Sequence, residues 1–154
     1  FEVTEAVLNA VYVELYAQRV QLEGTILKPN MVLSGKMCSR QAGVDEVAEK
    51  TLACFARTVP AAVPGIVFLS GGQSAEDATA HLNAMNALKA AAPGRYPWNL
   101  SFSYVRALQA APLKAWSGKP GNVPAAQAAF AHRARMNSLA TLGTWRPELE
   151  TEAA

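Results

Sequence analysis

The chain has 154 residues, 51% hydrophobic and 17% charged, with a formal net charge of +2. This is the composition of a folded globular protein and is too apolar for disorder. The scattered Lys and Arg residues give no electrostatic footprint for nucleic acid or a membrane surface, and no run of about 18 apolar residues suggests a membrane span.

Two cysteines, Cys38 and Cys54, form neither a disulfide-dense scaffold nor a metal-ligand spacing, which points to a reduced, cytoplasmic setting. The chain opens on Phe1 without an initiator Met, as a piece of something longer would.

Turn residues punctuate the rest. Thr4 is expected to cap a first helix whose apolar face carries Val7, Leu8, Val11, Tyr12 and Leu15 at helical spacing. Leu22 to Pro29 reads as a short strand, and Lys28, immediately before Pro29, is pushed out of helical backbone. A polar loop from Ser34 to Gly43 leads to a helix from about Asp45, with Ala48, Leu52, Phe55 and Val59 toward the core.

After Pro60 and Pro64, Gly65 to Leu69 is a continuous apolar run of the kind a doubly covered parallel strand shows. Ser70-Gly-Gly-Gln-Ser74 turns into a third helix, where Ser74 and Asp77 have the spacing of a capping box. A loop from Ala91 to Pro97 precedes a third strand, Trp98 to Tyr104. A helix from Arg106 to Trp116, interrupted near Pro112, follows it. A last helix runs from Asn122 to Leu142 and stops at Gly143, leaving a loosely held tail from Trp145.

The order is one helix and then three βα units, which implies parallel strands joined by crossovers. Two closures suit such a pattern, an open doubly wound sheet or a (β/α)₈ barrel; a barrel needs about 250 residues, and three strands cannot close one. Alone, the chain would leave two parallel strand edges bare, which natural proteins avoid. The mismatch points to a fragment.

Three features carry chemistry. Lys28 ends an apolar strand, where a desolvated lysine would release a free amine able to attack a ketone; the alternative is a strand-end lysine in solvent. Ser70-Gly71-Gly72, at a strand-to-helix turn, suits a phosphate held by backbone N–H groups; the alternative is a tight turn without a ligand. Arg106, opening a helix, suits phosphate; the alternative is pairing with a surface carboxylate.

His81 and His132 lie within helices, away from any zinc-type ligand set. The pairs Asp45/Glu46 and Glu76/Asp77 fall in first helical turns, where they complement the helix dipole.

Taken together, three stretches resemble the class I (Schiff-base) fructose-bisphosphate aldolases. They are Leu22-Glu-Gly-Thr-Ile-Leu-Lys28-Pro-Asn-Met31, Thr58 to Ser74 with its Phe68-Leu-Ser-Gly-Gly-Gln-Ser74 end, and Phe102-Ser-Tyr-Val-Arg-Ala-Leu-Gln-Ala110. The resemblance runs from about Val3 to Gly143. It implies the C-terminal part of a TIM (β/α)₈ barrel, about three βα units plus a preceding helix, over residues 1–143, with 144–154 as a C-terminal tail.

By position, the resemblance makes Lys28 the imine-forming lysine, with Ser70, Gly71, Ser103 and Arg106 on a substrate phosphate. It implies reversible cleavage of fructose 1,6-bisphosphate without metal or cofactor. The implied partners are a phosphorylated sugar, the N-terminal half of the barrel and, in the intact enzyme, a homotetramer. Two departures stand out: Val105 replaces the family's usual glycine, and the chain ends Glu152-Ala-Ala154 without the terminal tyrosine of vertebrate members. Two alternatives to the enzyme reading are a catalytically inert fragment kept as a scaffold and an unrelated open-sheet phosphosugar-binding domain.

Overall fold

The computed structural model describes residues 1–151. Its elements are helix α1 (Glu2–Ala17), strand β1 (Ile26–Leu27), helix α2 (Val44–Thr58), strand β2 (Gly65–Phe68), helix α3 (Ala75–Ala91), strand β3 (Asn99–Phe102), helix α4 (Arg106–Trp116) and helix α5 (Val123–Thr141). Short 3-10 turns lie at Leu22–Gly24, Pro120–Asn122 and Pro147–Glu150. The helix followed by three βα units is therefore present as expected.

The strands form one parallel sheet in chain order, β1-β2-β3, with Leu27 beside Ile66 and Ile66 beside Leu100. Alternation along a strand sends successive side chains to opposite faces. Ile66, Phe68 and Leu100 are buried against the helices. Phe68 stacks on Phe55 of α2 at 5.8 Å between ring centroids, which joins sheet to helix layer. Val67 and Ser101, on the other face, remain half-buried.

Polar side chains fix the helices within this apolar layer. Asn86 of α3 donates its Nδ2 to the carbonyls of Leu82, Leu100 and Ala140, at 3.2, 3.4 and 3.1 Å, so one buried amide ties α3, β3 and α5. Tyr104 donates its hydroxyl to the Ala78 carbonyl at 2.8 Å, pinning the end of β3 to α3.

Several local expectations are corrected. Thr4 does not cap α1, whose N-cap is Phe1; its hydroxyl instead accepts from Asn30 Nδ2 at 3.3 Å. Leu8 and Tyr12 are buried, but Val7 and Val11 are exposed, on a side of α1 that the described residues leave as an open groove beside β1. The first strand shrinks to two residues because Leu22–Gly24 closes a 3-10 turn, with Thr25 bonded to the Leu22 carbonyl through both N and Oγ1.

Helix α4 runs through Pro112 without interruption. The tail is not loose as far as it is described. Trp145 is buried and donates its backbone N to Asn83 Oδ1 at 2.9 Å, while its ring N–H reaches Glu150 at 2.9 Å. Glu150 also takes Arg133 and His132. The final Glu152-Ala-Ala154 lies outside the described residues.

Candidate active site

Parallel strands deliver their C-terminal ends to one edge of the sheet, and the loops there are free to carry chemistry. Lys28 follows β1 directly. Ser70 lies two residues beyond β2, Ser103 one residue beyond β3, and Arg106 opens α4. The ladder continues past the strands: Leu69 N donates to the Pro29 carbonyl at 3.1 Å, and Ser103 N to the Phe68 carbonyl at 2.8 Å. Extending the register by one residue sets Lys28 level with Val67, which pairs with Ser101, on the face turned away from the helices.

The turn after β2 is built from its sequence. Gly71 and Gly72 take φ of +62° and +86°, left-handed values open to glycine at little cost. Ser70 is buried, and its carbonyl accepts from the backbone N of Gln73 at 3.1 Å and from the Gln73 side-chain amide at 2.8 Å. Ser74 then caps α3 by accepting from Asp77 N at 3.0 Å, the expected half of a capping box. The turn thus sits at the positive end of a 17-residue helix.

Arg106 meets this turn. A Cβ placed on Gly72 would lie 3.9 Å from Arg106 Nη2, in ordinary van der Waals contact, so the guanidinium lies beside the turn. The carboxylate partner weighed for Arg106 is absent among the described residues. Tyr104 holds the β3–α4 connection in place; burial raises its phenol well above the ordinary value, with the Arg133 charge opposing, so the group stays a neutral donor.

Lys28 is brought to the same edge but not into a dry pocket. It is exposed, and it borders a groove of about 400 Å³ between α1 and the β1 edge, lined also by Val3, Val7, Val11 and Leu69. Among the described residues no strand pairs with the free side of β1, so the dry pocket expected around Lys28 is not formed. Val105 sits at the N-cap of α4 with φ −100° and ψ −73°, so a valine fits without positive φ, and its side chain is exposed. Among the described residues no His, Cys, Asp or Glu cluster could hold a metal ion, and no helix is long and apolar enough to cross a membrane.

Two groups escaped the sequence reading. Gln73 lies inside the quoted turn but received no role, though a glutamine three residues past a buried carbonyl can fold back on it. Arg133 and Glu150 carried no signal, because their pairing depends on how α5 and the tail meet.

Three parallel βα units carry a lysine, a glycine turn and an arginine along one C-terminal edge, the edge at which parallel α/β folds place their functional loops. The family model for class-I fructose-bisphosphate aldolase matches residues 1–154, and the chain belongs to that family. It is 56% identical over 147 residues to a probable fructose-bisphosphate aldolase class 1 of Xanthomonas campestris pv. campestris, covering 95% of this chain and 42% of the relative. It is 53% identical over 151 residues to the fructose-bisphosphate aldolase of Echinococcus multilocularis, covering 98% and 40%.

Among solved structures, the Plasmodium falciparum fructose-bisphosphate aldolase, crystallised in complex with TRAP and a small-molecule inhibitor, superposes with a TM-score of 0.88 at 48% identity. That match covers 94% of this chain and 40% of that one. The chain therefore spans about 40% of the length of the curated relatives it matches, and its fold is the corresponding part of the aldolase fold.

Proposed function

We propose that this chain supplies the Schiff-base lysine and one phosphate site of a class I fructose-bisphosphate aldolase. Residues 1–143 form the barrel part, and 144–154 the C-terminal tail. The observation that carries the reading is the placement of Lys28, the Ser70–Gly72 turn and Arg106 along one edge of three adjacent parallel strands, with Arg106 Nη2 at 3.9 Å from the Gly72 Cβ position.

The amine of Lys28 attacks the C2 ketone of open-chain fructose 1,6-bisphosphate, and loss of water gives an imine. Once protonated, the imine draws the electron pair of the breaking C3–C4 bond onto itself. A base from the rest of the barrel takes the C4 hydroxyl proton as the aldehyde half leaves as glyceraldehyde 3-phosphate; the enamine left behind is protonated at C3 and hydrolysed, releasing dihydroxyacetone phosphate and the free amine of Lys28. Ser70 and Gly71 hold a phosphate through hydroxyl and backbone N–H at the start of α3, and Arg106 grips it with its planar fork of donors, beside Ser103.

The remaining strands of the intact enzyme seat on the exposed apolar residues Val3, Val7 and Ile26. They cover Lys28 and bring the general acids and bases, each worth about 10²–10⁴-fold. The intact protein is a cytoplasmic glycolytic homotetramer.

A second reading, an inert aldolase-like scaffold, is favoured by the exposure of Lys28 and by Val105 at the phosphate-facing end of α4. Borohydride trapping separates the two. The chain is incubated with dihydroxyacetone phosphate, reduced and digested. An adduct on Lys28 that disappears in Lys28→Arg supports the enzyme reading. No adduct from a folded chain favours the scaffold.

A further inference from the structure

We infer that His81 is a positioning residue for the turn at Ser70–Gly72, acting through the side-chain amide of Gln73. Its importance for catalysis rests on the proposed role of that turn in holding phosphate; its action on the turn itself does not.

The assignment follows from donor and acceptor chemistry. The Ser70 carbonyl can only accept, and Gln73 places a side-chain atom 2.8 Å from it, so that atom is the amide nitrogen. The same nitrogen lies 3.5 Å from Met31 Sδ, a weak acceptor on the segment that follows Lys28. The amide oxygen of Gln73 must then face the other way, where it meets His81 Nδ1 at 2.6 Å.

A carboxamide oxygen cannot donate, so Nδ1 carries the proton. Burial pushes the imidazole below its ordinary 6.5, with Asp77 opposing more weakly, so the ring is neutral near pH 7 and its Nε2 is bare. His81 therefore sits as the Nδ1–H tautomer, and a histidine fixed on α3 dictates which way the glutamine points.

The turn has a physical need for such a brace. Gly71 and Gly72 are successive glycines with positive φ, the residues that lose most backbone freedom on ordering. Gln73 closes the turn with two bonds to one carbonyl, and the second of them holds only while its amide is oriented. His81 supplies that orientation from within a helix that also carries the Ser74 cap. Because Gln73 touches Met31 as well, the brace links the loop after Lys28 to the turn after β2.

The direct test is the tautomer of His81 in this chain near pH 7, read from long-range ¹H–¹⁵N correlations of the imidazole. A protonated Nδ1 and a bare Nε2 are expected. A protonated Nε2 with a bare Nδ1 would overturn the proposal, since Gln73 would then have to turn its nitrogen to His81 and its oxygen to the Ser70 carbonyl.

Substitution extends the test. His81→Asn keeps an N–H donor at the δ position, whereas His81→Leu removes it. Exchange of the Gln73 backbone amide, which donates to the Ser70 carbonyl, should quicken roughly three- to tenfold in His81→Leu, the size of one lost net hydrogen bond, and return to within about twofold of the parent in His81→Asn. Affinity for inorganic phosphate should move in the same order. Exchange unchanged in His81→Leu, or equally fast in both variants, would sink the positioning role. If the tautomer and exchange behave as expected but the parent binds no phosphate, the proposed function fails and the brace stands.

Discussion

The end of α5 offers the sharpest mutational test of the packing. Gly143 has φ +68°, and a Cβ there would sit 3.0 Å from Ala87 N and 3.3 Å from both Ala87 Cα and Asn86 C. These are backbone atoms of α3, beside the Asn86 amide that ties α3 to β3 and α5, so they cannot swing aside as a side chain would. Gly143→Ala therefore carries two penalties. The left-handed backbone costs about 1–2 kcal/mol for any residue with a Cβ, and forcing α3 and α5 apart adds about 1–3 kcal/mol of overpacking.

Gly94 supplies the control: its φ is +80°, but nothing lies within 4 Å of its Cβ position, so Gly94→Ala feels the backbone penalty alone. Thermal unfolding followed by circular dichroism should give a Gly143→Ala midpoint roughly 4–20 °C below the parent, at about 2–4 °C per kcal/mol for this size. Gly94→Ala should fall only about 2–8 °C below it by the same conversion. Equal losses in the two variants would refute the close approach of Gly143 to α3.

Two further outcomes are expected. Burial alone would raise the Glu150 carboxyl, but the hydrogen bond and charge of Arg133, joined by His132 and Trp145, more than offset it and hold the group below its ordinary 4.5. A depressed carboxyl stabilises the tail contact above the unfolded value of 4.5, and that contribution is lost as pH falls through the folded value. Trp145 fluorescence should accordingly change in an acid step below pH 4.5 that disappears in Glu150→Gln; an identical titration in the variant would remove Glu150 as the cause. Val105→Gly should bind inorganic phosphate a few-fold more tightly with no loss of Tm, because the exposed valine stands in front of the α4 N-terminus and glycine is the better N-cap; unchanged affinity in a titration would show that Val105 does not crowd the anion.

What the sequence disclosed follows from which forces are local. The helices α2 and α3 were legible because their apolar spacing and caps are written within a few residues, as with Ser74 and Asp77. The parallel order followed from alternating strands and helices. Thr4 was misread because α1 starts earlier, with its N-cap at Phe1, and Val7 and Val11 because helical spacing identifies an apolar face without saying what covers it; the described residues leave theirs open. The tail was misread for the opposite reason. Trp145 and Glu150 have no periodicity, and their order comes from Asn83 and Arg133, more than sixty and about seventeen residues away.

The candidate site divides along the same line. The side proposed to hold phosphate draws on the Ser70–Gly72 turn, its Gln73 brace, the start of α3 and the arginine that α4 presents, whose mutual contacts lie within this chain. That part is formed here, down to which atom of Gln73 faces which neighbour. The lysine side depends on something else, the exclusion of water from an amine at the edge of the sheet. Lys28 directly follows the short strand β1, yet it remains exposed. Binding of phosphate and reactivity of the amine should therefore be separable in this chain, the first surviving where the second is weak. In the proposed intact enzyme the two are joined when the rest of the barrel closes over β1.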